Sequence, residues 1–151
     1  MTKKILILCC GYMYGCDNAF GYHVFKVLEK MPLPQNVDLM EVGLSACMIP
    51  HVMVEKDKLV IVDVFDHSKE APGTIMRLKT EELPLKFDLK KDPAKVHLVE
   101  TLEHMQLTGY CPETVFIGVV PKNMQIESEQ LTHEIQSKIP EVIDLILKEI
   151  D

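Results

Sequence analysis

Short apolar runs alternate along the chain with segments whose apolar residues recur every three or four positions. The run from Lys4 to Cys9 is continuous and bounded by a lysine pair and a glycine turn, the pattern of a strand buried on both faces. From Asn18 to Met31, Phe20, Val24, Val27 and Leu28 fall close to a 3.6-residue period. This predicts a helix capped by Asp17 or Asn18 and ended by Pro32 and Pro34. Residues 36–42, NVDLMEV, read as a second strand, and Ser45–Val54 as a short helix interrupted near Pro50. KLVIVDV at 58–64 is the clearest buried strand, and Thr74–Lys79 alternates as an edge strand does. The link between these two, 65–73, is too short for a helical crossover. They are therefore expected to be antiparallel neighbours, or to separate through an irregular loop. Residues 80–92 read as a long surface loop. Lys95–Leu107 reads as a helix with Val96, Val99, Leu102 and Met105 on one face and Gly109 as its stop. Thr114–Val120 is a fifth strand. Leu131–Ile150 is a long amphipathic pattern with Pro140 inside it, which predicts a kink or a break into two helices.

These elements predict one α/β domain over residues 1–151. Its expected architecture is three-layered: a mainly parallel five-stranded sheet with helices on both faces. Ligands of such sheets gather beyond the carboxyl ends of the strands. The stretches 10–18, 43–47 and 63–67 fall there, and the start of the helix after the 80–92 loop is expected to join them.

Composition narrows the function. With 47% apolar residues in 151, the chain can bury a substantial core. No stretch reaches the ~18–20 uninterrupted apolar residues of a membrane span. MTKKILILCC reads as a first strand rather than a secretory signal, so the expected compartment is the cytoplasm, without a membrane partner. The net charge is −7, and Arg77 is the single arginine. With no basic stripe to neutralise phosphates, nucleic acid is not an expected partner. Five cysteines (9, 10, 16, 47 and 111) without a CxxC argue against a disulfide framework.

The stretch after the first strand, GYMYGCDNAFG from Gly11 to Gly21, is glycine-punctuated, but its G-x3-G-x5-G spacing matches no phosphate-binding fingerprint. Tyr12 and Tyr14 would crowd a phosphate, and Asp17 at the helix start would repel it. A carboxylate-centred site fits better. Asp63 breaks an apolar strand at its carboxyl end, where a charge is costly unless paired, hydrogen-bonded or on a metal. Either a cap on the next turn or a ligand to a divalent cation explains it. Asp17 lies at the matching end of the first strand, so the two carboxylates can converge in one cleft. Of the six histidines, His67, His97 and His51 lie near candidate loops. His23, His104 and His133 read as helix-surface residues.

The order of these landmarks resembles the nickel–iron hydrogenase maturation endopeptidases along nearly the whole chain. That family opens with an apolar strand and a G-N-x-L-x-x-D-[DE]-x-x-G loop, here Gly11–Gly21. A strand ending in a D/E-G-G-T-x-G stretch follows, here MEVGLSA at 40–46. Its third strand ends in an aspartate followed by A-P-G-T, here Asp63 and EAPGT at 70–74. EELP at 81–84, TG at 108–109 and GVVP at 118–121 fall in family-like places. The resemblance implies an enzyme that cuts a short C-terminal peptide from a hydrogenase large-subunit precursor once nickel is installed. It implies recognition of that nickel, with no nucleotide and no serine or cysteine triad. It places nickel contacts at an acid in the glycine loop, the strand-three aspartate, and a histidine near the start of the helix after the long loop. Asp63 matches the strand-three position and Asp17 the other loop acid. The loop ligand position falls on Asn18 and the histidine position on Ala94, with His97 nearly one helical turn away. Leu44 stands in place of the glycine-stretch threonine, and Tyr12 in place of the loop asparagine. Cys10 and Cys16 offer thiolates, which suit nickel and zinc. The expected set is thus Asp63 and Asp17 as catalytic groups, with Asp63, Asp17, Asn18 and His97 around the metal. Two other readings stand beside it. One is a family member that binds a hydrogenase subunit or a metal without cutting, and the other is a small-molecule or nucleotide-binding module.

Overall fold

The computed structural model of the chain describes residues 2–43, 55–66, 68–82, 100, 103–109 and 112–151. The apolar runs form strands β1 (Ile5–Cys9), β2 (Val37–Glu41), β3 (Lys58–Val64), β4 (Ile75–Lys79) and β5 (Glu113–Val119). They make one five-stranded sheet in the order β2-β1-β3-β5-β4, parallel except for β4. Helices α1 (Phe20–Leu28), α2 (His133–Gln136) and α3 (Ile139–Ile150) pack on one face.

The two-residue period of the strands sorts their side chains into two cores. Ile5, Ile7, Val60, Val62, Val115 and Ile117 meet Phe20, Val24 and Leu28 of α1 and Val142 and Ile146 of α3. On the other face, Leu6, Leu8, Leu59, Ile61 and Phe116 meet Phe65, Met76, Leu78 and Met105. Burial on both faces is why β1 and β3 read as continuous apolar runs rather than alternating ones.

One expectation is corrected in detail. The helix predicted from Asn18 begins as a 3-10 turn at Cys16–Ala19 and becomes α-helical only at Phe20. Its N-cap is Ala19, without a side-chain cap, so neither Asp17 nor Asn18 caps it. Gly21 in its first turn is required by close packing, since a Cβ there would lie 2.0 Å from the Cys10 carbonyl oxygen. Of the two arrangements expected for the third and fourth strands, the second holds: an irregular link separates them, and β4 pairs antiparallel with β5. Both edges of β3 are already occupied by β1 and β5, so the 65–74 link must pass over β5. Bonds from Phe65 N–H to Val119 O and from Val120 N–H to Thr74 O hold that passage.

The long C-terminal pattern breaks as Pro140 demands. α2 ends at Gln136, and Pro140 sits in the first turn of α3, where its missing N–H has no intrahelical partner to lose. Gly109 takes φ +76° after the helical residues 103–107 and donates to Gln106 O, as a helix stop does. The expected helix at 45–54 and most of the 80–92 loop lie outside the described residues.

Away from the carboxyl ends of the parallel strands, Lys58 at the start of β3 donates to the Glu149 carboxylate at 2.6 Å and to the Glu149 carbonyl at 3.0 Å. Arg77 of β4 also bonds Glu149. Burial by itself raises the Glu149 carboxyl, but hydrogen bonds and charge from Arg77 and Lys58 outweigh it and hold the group below its ordinary value. A depressed carboxyl stabilises the fold above its unfolded value, near 4.5, and that contribution is lost as pH falls through the folded value. Glu149→Gln is expected to cost about 2 kcal/mol at neutral pH and to flatten the acid limb of stability. Urea unfolding of both proteins across the acid range measures this.

Candidate active site

From β1 the chain passes through α1 to β2 on one side, and β3 then lies on the other. The carboxyl ends of β1 and β3 therefore flank a switch point, the crevice where open α/β sheets bind ligands. Three strand exits are tied together there. Cys10 N–H donates to Val62 O at 2.8 Å, Gly11 N–H to Gly43 O at 2.8 Å, and Val42 N–H to Cys9 O at 3.0 Å. Gly11 has φ +139°, and a Cβ on it would lie 2.1 Å from the Asn18 carbonyl oxygen. Only glycine lets the loop fold back so tightly and bring Asn18 over the end of β1.

Asp63 lies on the β3 face that carries Leu59 and Ile61. It is half-buried, and its Oδ1 accepts the Val64 N–H at 2.7 Å. Its register partner on β5 is Gly118, where a Cβ would lie 1.7 Å from the Asp63 carbonyl oxygen. Cys10, one residue past the Cys9–Val62 pair, stands beside Asp63 across β1 and β3. Asn18 is half-buried on the 3-10 turn. Glu41 closes β2 beside Cys9 and accepts the Gly43 N–H at 3.1 Å.

The cysteines differ in kind. Burial pushes the Cys9 thiol far up, and the negative charges of Glu41 and Asp63 add to that shift. Cys9 is thus a neutral core thiol rather than a ligand or nucleophile. Iodoacetamide at about pH 8 is expected to leave Cys9 unlabelled until the protein is denatured, as peptide mass mapping can check. Cys16 is 2% exposed and holds φ +56° at the tightest point of the loop. Cys10 is half-buried, its Sγ 3.9 Å from Leu8 O.

The structure corrects the expected role of Asp17. Its side chain is fully buried and turned away from the crevice into the segment that follows β5. Oδ2 accepts the N–H groups of Lys122 and Asn123, each at 2.8 Å, and Oδ1 accepts the Thr132 N–H at 2.8 Å. The Thr132 hydroxyl lies 3.0 Å from both oxygens. A carboxylate so enclosed has no face left for a metal or a water. It clamps the glycine loop to residues 122–132, reinforced by Cys16 N–H to Ser128 O and Asp17 N–H to Asn123 O. Sequence pattern cannot separate a converging ligand from a clamp, because the donors that Asp17 accepts from are mostly backbone amides.

His97, His51, His67 and Ala94 lie outside the described residues. His23 bonds the Glu129 carbonyl at 2.8 Å, and His104 and His133 are exposed helix residues, as their spacing predicts. Among the described residues no three His, Cys, Asp or Glu side chains are grouped to hold a metal ion. The crevice thus presents Asp63, with Cys10 at the neighbouring exit of β1 and the Asn18 turn folded back against Gly11 at the end of β1.

The family model for hydrogenase maturation protease matches residues 22–149. A Methanocaldococcus jannaschii protein is 34% identical over 98% of this chain and 97% of its own. The hydrogenase 2 maturation protease of Escherichia coli is 30% identical over 95% of this chain and 88% of its own. The solved structure of the E. coli hydrogenase maturating endopeptidase HybD superposes with a TM-score of 0.89 at 29% identity, covering 97% of this chain and 91% of that one.

Proposed function

Because the chain belongs to the hydrogenase maturation protease family, we propose that it removes a C-terminal peptide from a nickel-loaded hydrogenase large-subunit precursor, with Asp63 at the centre of its site. It is a hydrogenase maturation endopeptidase, a hydrolase whose partner is the precursor. The observation that carries the assignment of the site is the position of Asp63, a carboxylate at the end of an otherwise apolar strand, beside the switch-point crevice.

In this reading the nickel belongs to the substrate. Asp63 contacts it by charge, the Asn18 amide oxygen supplies a neutral donor, and His97 completes the set. A water held between Asp63 and the scissile carbonyl adds its oxygen to the carbonyl carbon. One water proton passes to the carboxylate and then to the leaving amine, so one water is consumed for each peptide bond cut. Asp17 acts behind the site, holding the loop that carries Asn18. No nucleotide takes part, and neither nucleic acid nor a membrane is a partner. The loop spacing, which matches no phosphate-binding fingerprint, and the net charge of −7 support the exclusion of nucleotide and nucleic acid. The proposed compartment is the cytoplasm.

The purified protein, incubated with nickel-loaded and with nickel-depleted precursor, tests this reading by intact mass. Shortening of the nickel-loaded form alone is the expected result. Equal shortening of both would remove nickel from the recognition step. Stable binding of an uncut nickel-loaded precursor would instead establish a binding protein on a protease fold, the reading that the neutral Asn18 favours.

A further inference from the structure

Five large hydrophobic side chains stand exposed among the described residues: Tyr12, Tyr14, Val27, Leu107 and Ile126. Three of them lie on two segments bonded to each other at the carboxyl end of the sheet. Tyr12 and Tyr14 are 45% and 38% exposed on the glycine loop that also carries Asn18, and Ile126 is 53% exposed on the segment after β5. Ser128 N–H donates to Tyr14 O at 2.8 Å, Cys16 N–H donates to Ser128 O at 3.0 Å, and Gly15 and Ser128 form a parallel bridge. The Asp17 clamp fixes the same two segments from behind.

The tyrosines are held in place although they are exposed. Their rings meet edge to face, with centroids 5.8 Å apart and planes at 67°. Gly15 N–H donates to Tyr12 O at 3.0 Å, and the Tyr12 ring edge would lie 3.2 Å from a Cβ on Gly15, so the ring folds over the turn. Rigid aromatic side chains lose little conformational entropy when they bind, which suits them as interface anchors. On the segment that Asp17 clamps to this loop, an open cavity of about 400 Å³ lies between Asp66, three residues past Asp63, and residues 121–125. Its lining, with Lys122, Asn123 and Gln125, is largely polar, which suits a polypeptide backbone.

We propose that Tyr12, Tyr14 and Ile126 form an apolar docking rim for the hydrogenase large-subunit precursor, gripping apolar side chains next to the segment that is cut. This deepens the function proposed above and rests on it. The rim is continuous with the crevice through one loop, which carries both Asn18 and the tyrosines. None of the three side chains is needed for the core, so their replacement separates docking from folding.

The test compares the full-length wild-type chain with Tyr12→Ser/Tyr14→Ser, with Ile126→Ser, and with Tyr12→Phe/Tyr14→Phe. Each is assayed for precursor cleavage and for binding of uncut precursor, with thermal melting as the check on folding. The serine variants are expected to raise KM and Kd roughly tenfold, with kcat within about twofold and melting unchanged. The phenylalanine variant, which keeps the apolar area, is expected to behave as wild type. Unchanged KM and Kd in the serine variants would overturn the docking rim, as would a phenylalanine variant as defective as serine. A wild-type chain that binds the precursor tightly without cutting it, while the serine variants bind weakly, would overturn only the protease reading and support the rim. A wild-type chain that neither binds nor cuts would overturn both.

Discussion

Asp63→Asn is expected to fold normally and to process precursor at least about a thousandfold more slowly than wild type. The folded state tolerates the change because the amide oxygen of asparagine can still accept the Val64 N–H that Oδ1 accepts now. The β3–β5 register opposite Gly118 involves backbone only and stays as it is. The negative charge is what disappears. A neutral amide lacks the charge that draws the nickel of the precursor to this position, and it takes no proton from water at neutral pH. Stopped time courses of precursor cleavage, paired with circular dichroism melting, check both halves. A variant that unfolds would make Asp63 a strand-end cap, and one that cuts at the wild-type rate would remove it from the chemistry.

Asp17→Ala is expected to destabilise the protein by about 4 kcal/mol. The substitution leaves the amides of Lys122, Asn123 and Thr132, and the Thr132 hydroxyl, facing a fully buried site from which their acceptor has gone. Each stranded buried donor costs on the order of 1–3 kcal/mol, and water entering the small cavity offsets part of the sum. Asp17→Asn is expected to lose roughly half as much, because one carboxylate oxygen becomes a donor aimed at donors. Chemical denaturation midpoints with a constant m-value measure this. Loss of stability would identify the clamp. Unchanged stability with lost activity would return Asp17 to the catalytic group.

The contrast between these two aspartates shows what the sequence makes legible. Both stand at the ends of buried strands, and both read as groups converging on one cleft. Asp63 does lie at the switch-point crevice, because register and alternation along KLVIVDV place its side chain on a defined sheet face. Asp17 turns away from it, because the left-handed φ of Cys16 and the 3-10 turn rotate the loop in a way no periodicity encodes. The parallel strands were readable from their apolar runs, and the break at Pro140 from its missing amide. The neighbour of β4 was not, since that choice depends on which edges other strands have already filled. The 121–128 segment stayed hidden for a related reason. It joins the glycine loop through hydrogen bonds spanning more than half the chain, and local pattern carries no signal of such distance.

The central claim is that this chain cuts a hydrogenase large-subunit precursor near its C-terminus. The most direct measurement is the intact mass of the precursor, carrying its nickel, before and after incubation with the purified protein, with the released fragment sequenced. Loss of one short C-terminal peptide, absent when the Asp63→Asn protein is used, is the predicted result. An unchanged mass after prolonged incubation with folded wild-type protein would contradict the account.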